Sequence, residues 1–546
     1  MNWVERLGQV SFLVWQICFP IGCLMAGRKM FHWFQLESYQ FPGYFRTLRR
    51  MGGKPWIPGT ILAVVAFAVF LGAWLLKAAS WLLFFSGGLC SIITGWVLHR
   101  RASTQPEKKK LVFTPRVKRL YGVCLVIWIL LFVLWCSLSS QVIPAGESSW
   151  EWLLICCAFG LLIPLWIALG GLIAWPIEKV ISELYFRDAQ RILREHPDLI
   201  RIGITGSWGK TSVKFILGTL LEEKYPTLIT PASFNTPMGV TKVIRTMLEP
   251  GHRVFIAEMG ARHVGDIREM CRLVHPTLGL ITSVGPQHLD TFRTQERITK
   301  TKYELIEALP EDGSCFFSDD DGIVTDLWKK TAKDKTLTGM HPERDDVWAE
   351  NLRVSPKGSQ FTMCYGAERV ECETALLGEL NIRNILLCAG VCLKMGMEGK
   401  EIARGIRKLR PVEHRLELKT NAAGITVLDD AFNSNIRGAE QAFKVFKAFP
   451  GKRIVITPGM VELGSQEEEM NRTFGRLMAD CCDEAILVGK KRSAAISKGM
   501  LESGFPEDLI HIAGSLDEAA EMLKNMARTG DTLLFENDLP DNYSEE

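Results

Sequence analysis

Hydrophobic positions along this chain follow two regimes that meet near residue 180. Before that point, five nearly uncharged apolar stretches lie at about 9–27, 57–76, 79–98, 120–138 and 152–175. Each approaches the roughly 20 residues that a helix needs to cross the hydrocarbon layer of a bilayer. After it, short alternating apolar runs are separated by helix-length segments, the pattern of an α/β fold whose parallel sheet is covered by helices on both faces. The expected organisation is an all-α multi-span membrane domain over 1–180, a polar linker helix over 181–197, and two α/β domains over 198–410 and 411–546. Pro411, following a helical run, opens the last of these.

Charge in the first regime is confined to loops. Residues 28–56 hold Arg28, Lys29, Arg46, Arg49, Arg50 and Lys54, and residues 99–119 hold eight further Lys and Arg from Arg100 to Arg119. The Ser139–Glu151 loop has none, and the turn between the second and third stretches has Lys77 alone. The positive-inside rule then puts the N-terminus outside a plasma membrane and everything after Trp175 in the cytoplasm. The first stretch, although it contains Gln16 and Pro20, lacks the basic start and small-residue cleavage site of a signal peptide and reads as a retained anchor. Trp33, Phe34, Tyr39, Phe41 and Tyr44 sit in the first basic loop in a pattern compatible with a segment lying in the membrane interface. No ionisable residue falls mid-span, which argues against an ion pathway or transporter.

A formal net charge of +3 over 546 residues gives no general attraction to nucleic acid. Many of the 15 cysteines lie inside the apolar stretches, and no C-x-x-C pair follows them, so cysteine serves as a small hydrophobe in a reducing compartment.

The densest chemical signal is Ile200–Ser212, I-R-I-G-I-T-G-S-W-G-K-T-S. An alternating strand runs into Gly206, Ser207, Trp208 and Gly209, and a helix starts at Lys210. Glycines there let backbone N–H groups curl around phosphate oxygens, and the helix N-terminus adds its positive dipole end. Lys210 is placed to reach the β- and γ-phosphates of a nucleotide, and the hydroxyl of Thr211, followed by Ser212, to ligate Mg²⁺. Ile204 stands where the strict pattern has its first glycine, so this is a variant phosphate loop. Strands at Val254–Ala257 and Leu278–Thr282 end near Glu258 and His288, opposite the loop, where a carboxylate is positioned to hold a metal.

Nine segments together resemble the Mur ligase superfamily, in particular the branch that adds D-alanyl-D-alanine to a muramoyl tripeptide. They are T-G-S-W-G-K-T-S (205–212), S-F-N-T-P-M-G-V-T (233–241), A-E-M-G-A (257–261), V-G-P-Q-H-L-D (284–290), K-Y-E (302–304), G-E-L-N-I-R-N (378–384), E-H-R-L-E (413–417), D-D-A-F-N-S-N (429–435) and G-M-V-E-L-G (459–464). The resemblance, covering about 200–540, implies a P-loop central domain and a Rossmann-like C-terminal domain. It also implies ATP-driven conversion of a carboxylate to an acyl phosphate, which an amine attacks. By the same resemblance Lys210 binds phosphate, Thr211 and Glu258 hold one Mg²⁺, and His288 holds a second. Lys302 matches the lysine that is N6-carboxylated in this family and then ligates metal. Asn381 and Asn384 sit at the adenine, Asn235 lines the substrate cleft, Arg415 meets the phosphates, Asp430 and Asn433 lie near the ribose and hinge, and Glu462 lines the amine site.

Two regions depart from the resembled branch. A membrane bundle stands where a uridine-nucleotide-binding domain is expected, and L-F-E-N-D-L-P-D-N-Y (534–543) replaces a lysine-glycine-serine motif; Leu380 also stands where a histidine is usual. Because the substrate-selecting parts have changed and the ATP machinery has not, the donor carboxylate is expected on a membrane-associated acceptor, such as a polyprenyl-linked glycan or peptide. A poly-γ-glutamate-type synthetase and a catalytically silent ATP-binding scaffold are the alternative readings. The amine and the oligomeric state are not legible.

Overall fold

The structure is a computed structural model that describes residues 3–76, 79–104, 110–142, 158–232, 234–320, 322–421, 423–432, 435–461 and 463–538. Two compact units divide between Ser182 and Glu183. Asn433, Glu462, the start of the fifth apolar stretch and the end of the 534–543 segment lie outside the described residues.

The first unit is helical. Its long helices are α1 (Trp3–Ala26), α4 (Ile57–Leu75), α5 (Ser80–Thr104), α6 (Pro115–Val142) and α7 (Ile163–Arg194), with the shorter α2 (Arg28–Leu36) and α3 (Phe41–Arg50) between the first two of these. Among the described residues, five helices are long and apolar enough to cross a membrane. Glycine sets their closest approaches: a Cβ at Gly22 or Gly95 would collide with backbone of the facing helix, the small-residue contact by which helices associate in lipid. Inside the bundle the rings of Trp15, Phe19, Phe132 and Phe159 meet at centroid distances of 5.1–6.4 Å.

Trp33, Phe34 and Tyr44 of the first basic loop are buried in the unit's core, because α2 and α3 fold back as a pair whose apolar face packs inward. Phe34 sits 5.0 Å from Tyr44, and Arg116 lies over the Tyr39 ring at 4.0 Å. The helix expected over 181–197 continues the fifth stretch, since α7 runs unbroken from 163 to 194 through Pro176. A proline removes a single helical hydrogen bond, which a long apolar helix tolerates.

The second unit contains two sheets. The larger has the order β2 (Thr227–Ile229), β3 (Val254–Glu258), β1 (Ile200–Thr205), β4 (Leu278–Ile281), β5 (Ser314–Ser318), β6 (Lys335–Gly339), β7 (Val347–Ser355), β8 (Gly358–Tyr365), β9 (Glu368–Thr374), and the smaller β10 (Glu417–Thr420), β11 (Thr426–Asp430), β15 (Thr532–Glu536), β12 (Arg453–Thr457), β13 (Glu484–Val488), β14 (Ile510–Ala513). In the first, β1 (Ile200–Thr205) pairs in parallel with β3 (Val254–Glu258) and β4 (Leu278–Ile281), and parallel pairing continues to β7 (Val347–Ser355). Beyond β7 the sheet turns antiparallel, through β8 (Gly358–Tyr365) and β9 (Glu368–Thr374), so the all-parallel expectation fails at this edge. Two turns, at 356–357 and 366–367, are too short for a helical crossover and permit only hairpins. Separate apolar clusters cover the two faces of this sheet. The smaller sheet is parallel apart from the β10 (Glu417–Thr420) and β11 (Thr426–Asp430) pair.

Candidate active site

The glycine loop joins β1 to α8 (Lys210–Leu221). Gly206 has φ +156° and Gly209 φ +80°, conformations that a side chain makes costly. Space is equally restrictive: a Cβ at Gly206 would strike the Thr282 hydroxyl, and one at Gly209 would lie 3.1 Å from Asn384 Oδ1. The chain after β4 buttresses the loop. Ser207 N–H donates to Ser283 O at 2.9 Å, Ser207 Oγ–H to Gly285 O at 2.9 Å, and the Thr282 hydroxyl to Trp208 O at 2.5 Å. Gly206→Ala is therefore expected to lower the melting temperature and remove nucleotide binding together, as read by thermal unfolding with and without ADP.

Lys210 folds back over this loop. Its ammonium donates to the carbonyls of Gly206 (2.6 Å) and Ser207 (3.0 Å). Burial lowers its pKa to about 8, opposed by the nearby Glu258 charge and reinforced by Arg415. An ammonium held by two carbonyls at the mouth of a glycine loop is poised to exchange them for phosphate oxygens.

Glu258, at the end of β3 and in register with Ile204, is 1% exposed. Its Oε1 accepts from the Thr211 hydroxyl at 3.2 Å and from Asn235 Nδ2 at 3.1 Å, and its Oε2 accepts from Lys214 Nζ at 3.0 Å. Lys214 was not visible as a site residue in the sequence, where it reads as one more helix lysine. The only hint is its setting between Val213 and the apolar run Phe215–Leu217.

Lys302 lies on α12 (Gln295–Ala308), which packs closely on the sheet because Gly203 and Gly279 leave room for Leu305. The side chain is 2% exposed, whereas sequence alone describes an exposed helix lysine. Burial, followed by repulsion from Lys210, holds its amine far below the ordinary lysine range against the opposing pull of Asp266. His288, half-buried with φ +52°, heads the short helix α11 (Leu289–Phe292) after the β4 loop.

On α14 (Glu379–Lys394), Asn384 reaches the glycine loop at Gly209, whereas the Asn381 amide is engaged with Leu377 O at 2.9 Å. Ser212 sits half-buried in the first turn of α8. From the smaller sheet, Arg415 lies 4.3 Å above the Phe432 ring and within electrostatic reach of Asp430, Glu258 and Glu536. Asp430 accepts from Leu416 N–H at 3.0 Å, and Glu536 is its register partner on β15 (Thr532–Glu536). The geometry thus gathers Lys210, Thr211, Glu258, Asn235, Asn384, Lys302 and Arg415 about the loop.

Comparison with known families matches the Mur ligase middle domain over residues 204–392 and the Mur ligase glutamate ligase domain over 414–536. The UDP-N-acetylmuramoyl-tripeptide–D-alanyl-D-alanine ligase of Bacillus subtilis is 27% identical over 337 residues, 61% of this chain and 72% of the relative. Its counterpart in Mycobacterium tuberculosis is 29% identical over 356 residues, 61% of this chain and 69% of the relative. The crystal structure of MurF ligase from Thermotoga maritima in complex with ADP shares the fold at a TM-score of 0.58 and 22% identity, over 65% of this chain and 80% of that one. With two family models matched in order along the chain and the glycine loop inside the first match, the chain belongs to the Mur ligase superfamily of ATP-dependent, amide-bond-forming ligases.

Proposed function

We propose that this chain is a membrane-anchored Mur-type ligase that uses ATP to activate a carboxylate for attack by an amine, in assembly of the cell wall or another surface polymer. The observation that carries the reading is the neighbourhood of Lys210, whose amine has Glu258, Lys302 and Arg415 within electrostatic reach. Three separate elements deliver those groups to one phosphate loop, which a structural turn has no need of.

The residues also suit Mg²⁺. Among the described residues no three His, Cys, Asp or Glu side chains gather into a cage. Magnesium is instead commonly held by one or two carboxylates with phosphate oxygens and water, and Glu258 Oε1 beside the Thr211 hydroxyl offers such a donor pair. His288 and Lys302 would hold a second ion once Lys302 carries a carboxylate. That modification requires an uncharged amine, which the burial of Lys302 provides. Bound magnesium neutralises charge on the transferred phosphoryl group.

The protein's own groups do the rest. Lys210 transfers its hydrogen bonds from loop carbonyls to phosphate, the α8 N-terminus faces the same charge, and Arg415 adds a cation from the second sheet. Phosphoryl transfer to the donor carboxylate releases ADP, and attack by the amine then expels phosphate as the amide forms.

Lys210 also fixes a pH dependence. Its folded pKa of about 8 lies below the ordinary 10.5, so between those values the unfolded chain carries the extra proton and the ligand-free fold gains stability as pH rises. Phosphate favours the charged amine, so ADP binding takes up a proton near pH 8 and weakens above it. Calorimetry in buffers of different ionisation enthalpy reads that uptake directly.

Two features support a donor carried on a membrane-associated glycan or peptide. The five apolar helices precede residue 204, where the family match begins, and the 534–543 segment departs from the resembled branch. The test is ADP release by the full-length chain with D-alanyl-D-alanine and other amines, on lipid-linked extracts and on UDP-muramoyl tripeptide, with Lys210→Ala as the blank. Greater release with lipid-linked donors is expected. Release with the soluble nucleotide alone would remove the lipid-linked part.

A further inference from the structure

Lys214 is a buried charge beside the glycine loop that the ligase chemistry leaves unassigned. It lies one helical turn after Lys210 on α8, its side chain 0% exposed. Its ammonium has two partners. It donates to Glu258 Oε2 at 3.0 Å and to the carbonyl of Ala232 at 2.5 Å. Ala232 is in the left-handed region, φ +44°, a conformation that costs an alanine energy and persists where neighbours hold it. Three residues later the same segment supplies Asn235, whose amide donates to the other oxygen of Glu258 at 3.1 Å.

We infer that Lys214 is a positioning residue: its ammonium on Glu258 Oε2 repels a second cation there and leaves Oε1, whose partners are the neutral Thr211 hydroxyl and Asn235 amide, as the single oxygen presented to a metal. The inference rests on the metal-site reading given above. A carboxylate with one oxygen against an ammonium binds a cation through the other. Single-oxygen ligation suits the small, strictly octahedral Mg²⁺, whereas Ca²⁺ accepts both oxygens of a carboxylate at longer distances. Lys214 therefore contributes to choosing magnesium. Its bond to Ala232 holds the Asn235 segment to the same carboxylate.

The test is ADP binding by the full-length protein, followed by calorimetry while Mg²⁺ or Ca²⁺ is titrated. In Lys214→Met, which keeps the side-chain volume, the Mg²⁺ midpoint is expected to rise at least tenfold and the Ca²⁺ midpoint to change less than threefold. An unchanged Mg²⁺ midpoint, or an equal rise for both ions, would make Lys214 a structural ion pair and overturn the inference. If Lys214→Met loses its melting transition, Lys214→Arg undergoes the same titrations. The planar arginine fork engages both carboxylate oxygens, so the Mg²⁺ midpoint is again expected to rise. A wild-type midpoint in that variant, or failure of both variants to fold, also overturns it. The wild-type and Glu258→Gln titrations separate this from the underlying reading, which fails on its own if ADP binding by the wild type is indifferent to Mg²⁺.

Discussion

Replacing Lys302 by alanine is expected to lower ADP formation by about a thousandfold, the scale seen when a preorganised charge-stabilising group is removed from an active site, with a drop in melting temperature no larger than the cavity it leaves accounts for. The second half of that statement follows from electrostatics. Lys302 is buried, and its cation would be opposed by both desolvation and Lys210, so the fold gains nothing from its charge. A lysine kept for packing alone would lose stability on truncation and leave turnover nearly intact. Truncation of a lysine kept as the carrier of a carboxylate removes the turnover itself. The same logic gives a rescue. The alanine variant has a cavity where the aliphatic chain lay, and acetate or propionate supplied in solution is expected to restore part of the activity by placing a carboxylate there. Turnover assays with and without these acids, alongside thermal unfolding, decide it; a variant that is less stable and still active would assign Lys302 to the core.

Arg415→Ala is expected to reduce kcat by about a hundredfold or more while ADP affinity changes less than about threefold. Arg415 comes from the bend just before β10 of the second sheet, lies over the Phe432 ring, and has Asp430, Glu258 and Glu536 within electrostatic reach. It therefore approaches the phosphate loop from the domain that does not contain it. A cation delivered in this way acts on charge that develops during transfer more than on the bound nucleotide. Equal losses in affinity and kcat would instead describe an ordinary binding residue. Arg415→Lys keeps the charge but not the planar stacking on Phe432, and it is expected to fall between the two.

Much of this site was legible before any coordinates because its chemistry is compressed into short segments. The glycine loop needs two residues with positive φ directly before a helix, and Gly206, Gly209 and Lys210 are consecutive enough to be read as one unit. The strand that delivers Glu258 is likewise a clear apolar run. What was not legible depends on packing over long sequence distances. Lys302 looks like a surface residue until Gly203 and Gly279 are known to let α12 settle onto β1 and β4. Lys214 has only its apolar setting as a hint, because its partner carboxylate is 44 residues away. The burial of Tyr44 and Phe34 is illegible for a related reason: an aromatic residue beside basic ones suits an interface and a bundle core equally, and only the fold of α2 onto α3 distinguishes them. The β7–β9 meander escaped because Glu350 and Asn351 interrupt its alternation at a register shift.

The account predicts one stoichiometry above all. When the full-length chain forms amide from a donor carboxylate labelled with ¹⁸O, each turnover should yield one ADP and one inorganic phosphate bearing a single ¹⁸O from that carboxylate, and Lys210→Ala should yield neither. Label recovered in AMP, or ADP released at the same rate with no carboxylate present, would contradict it.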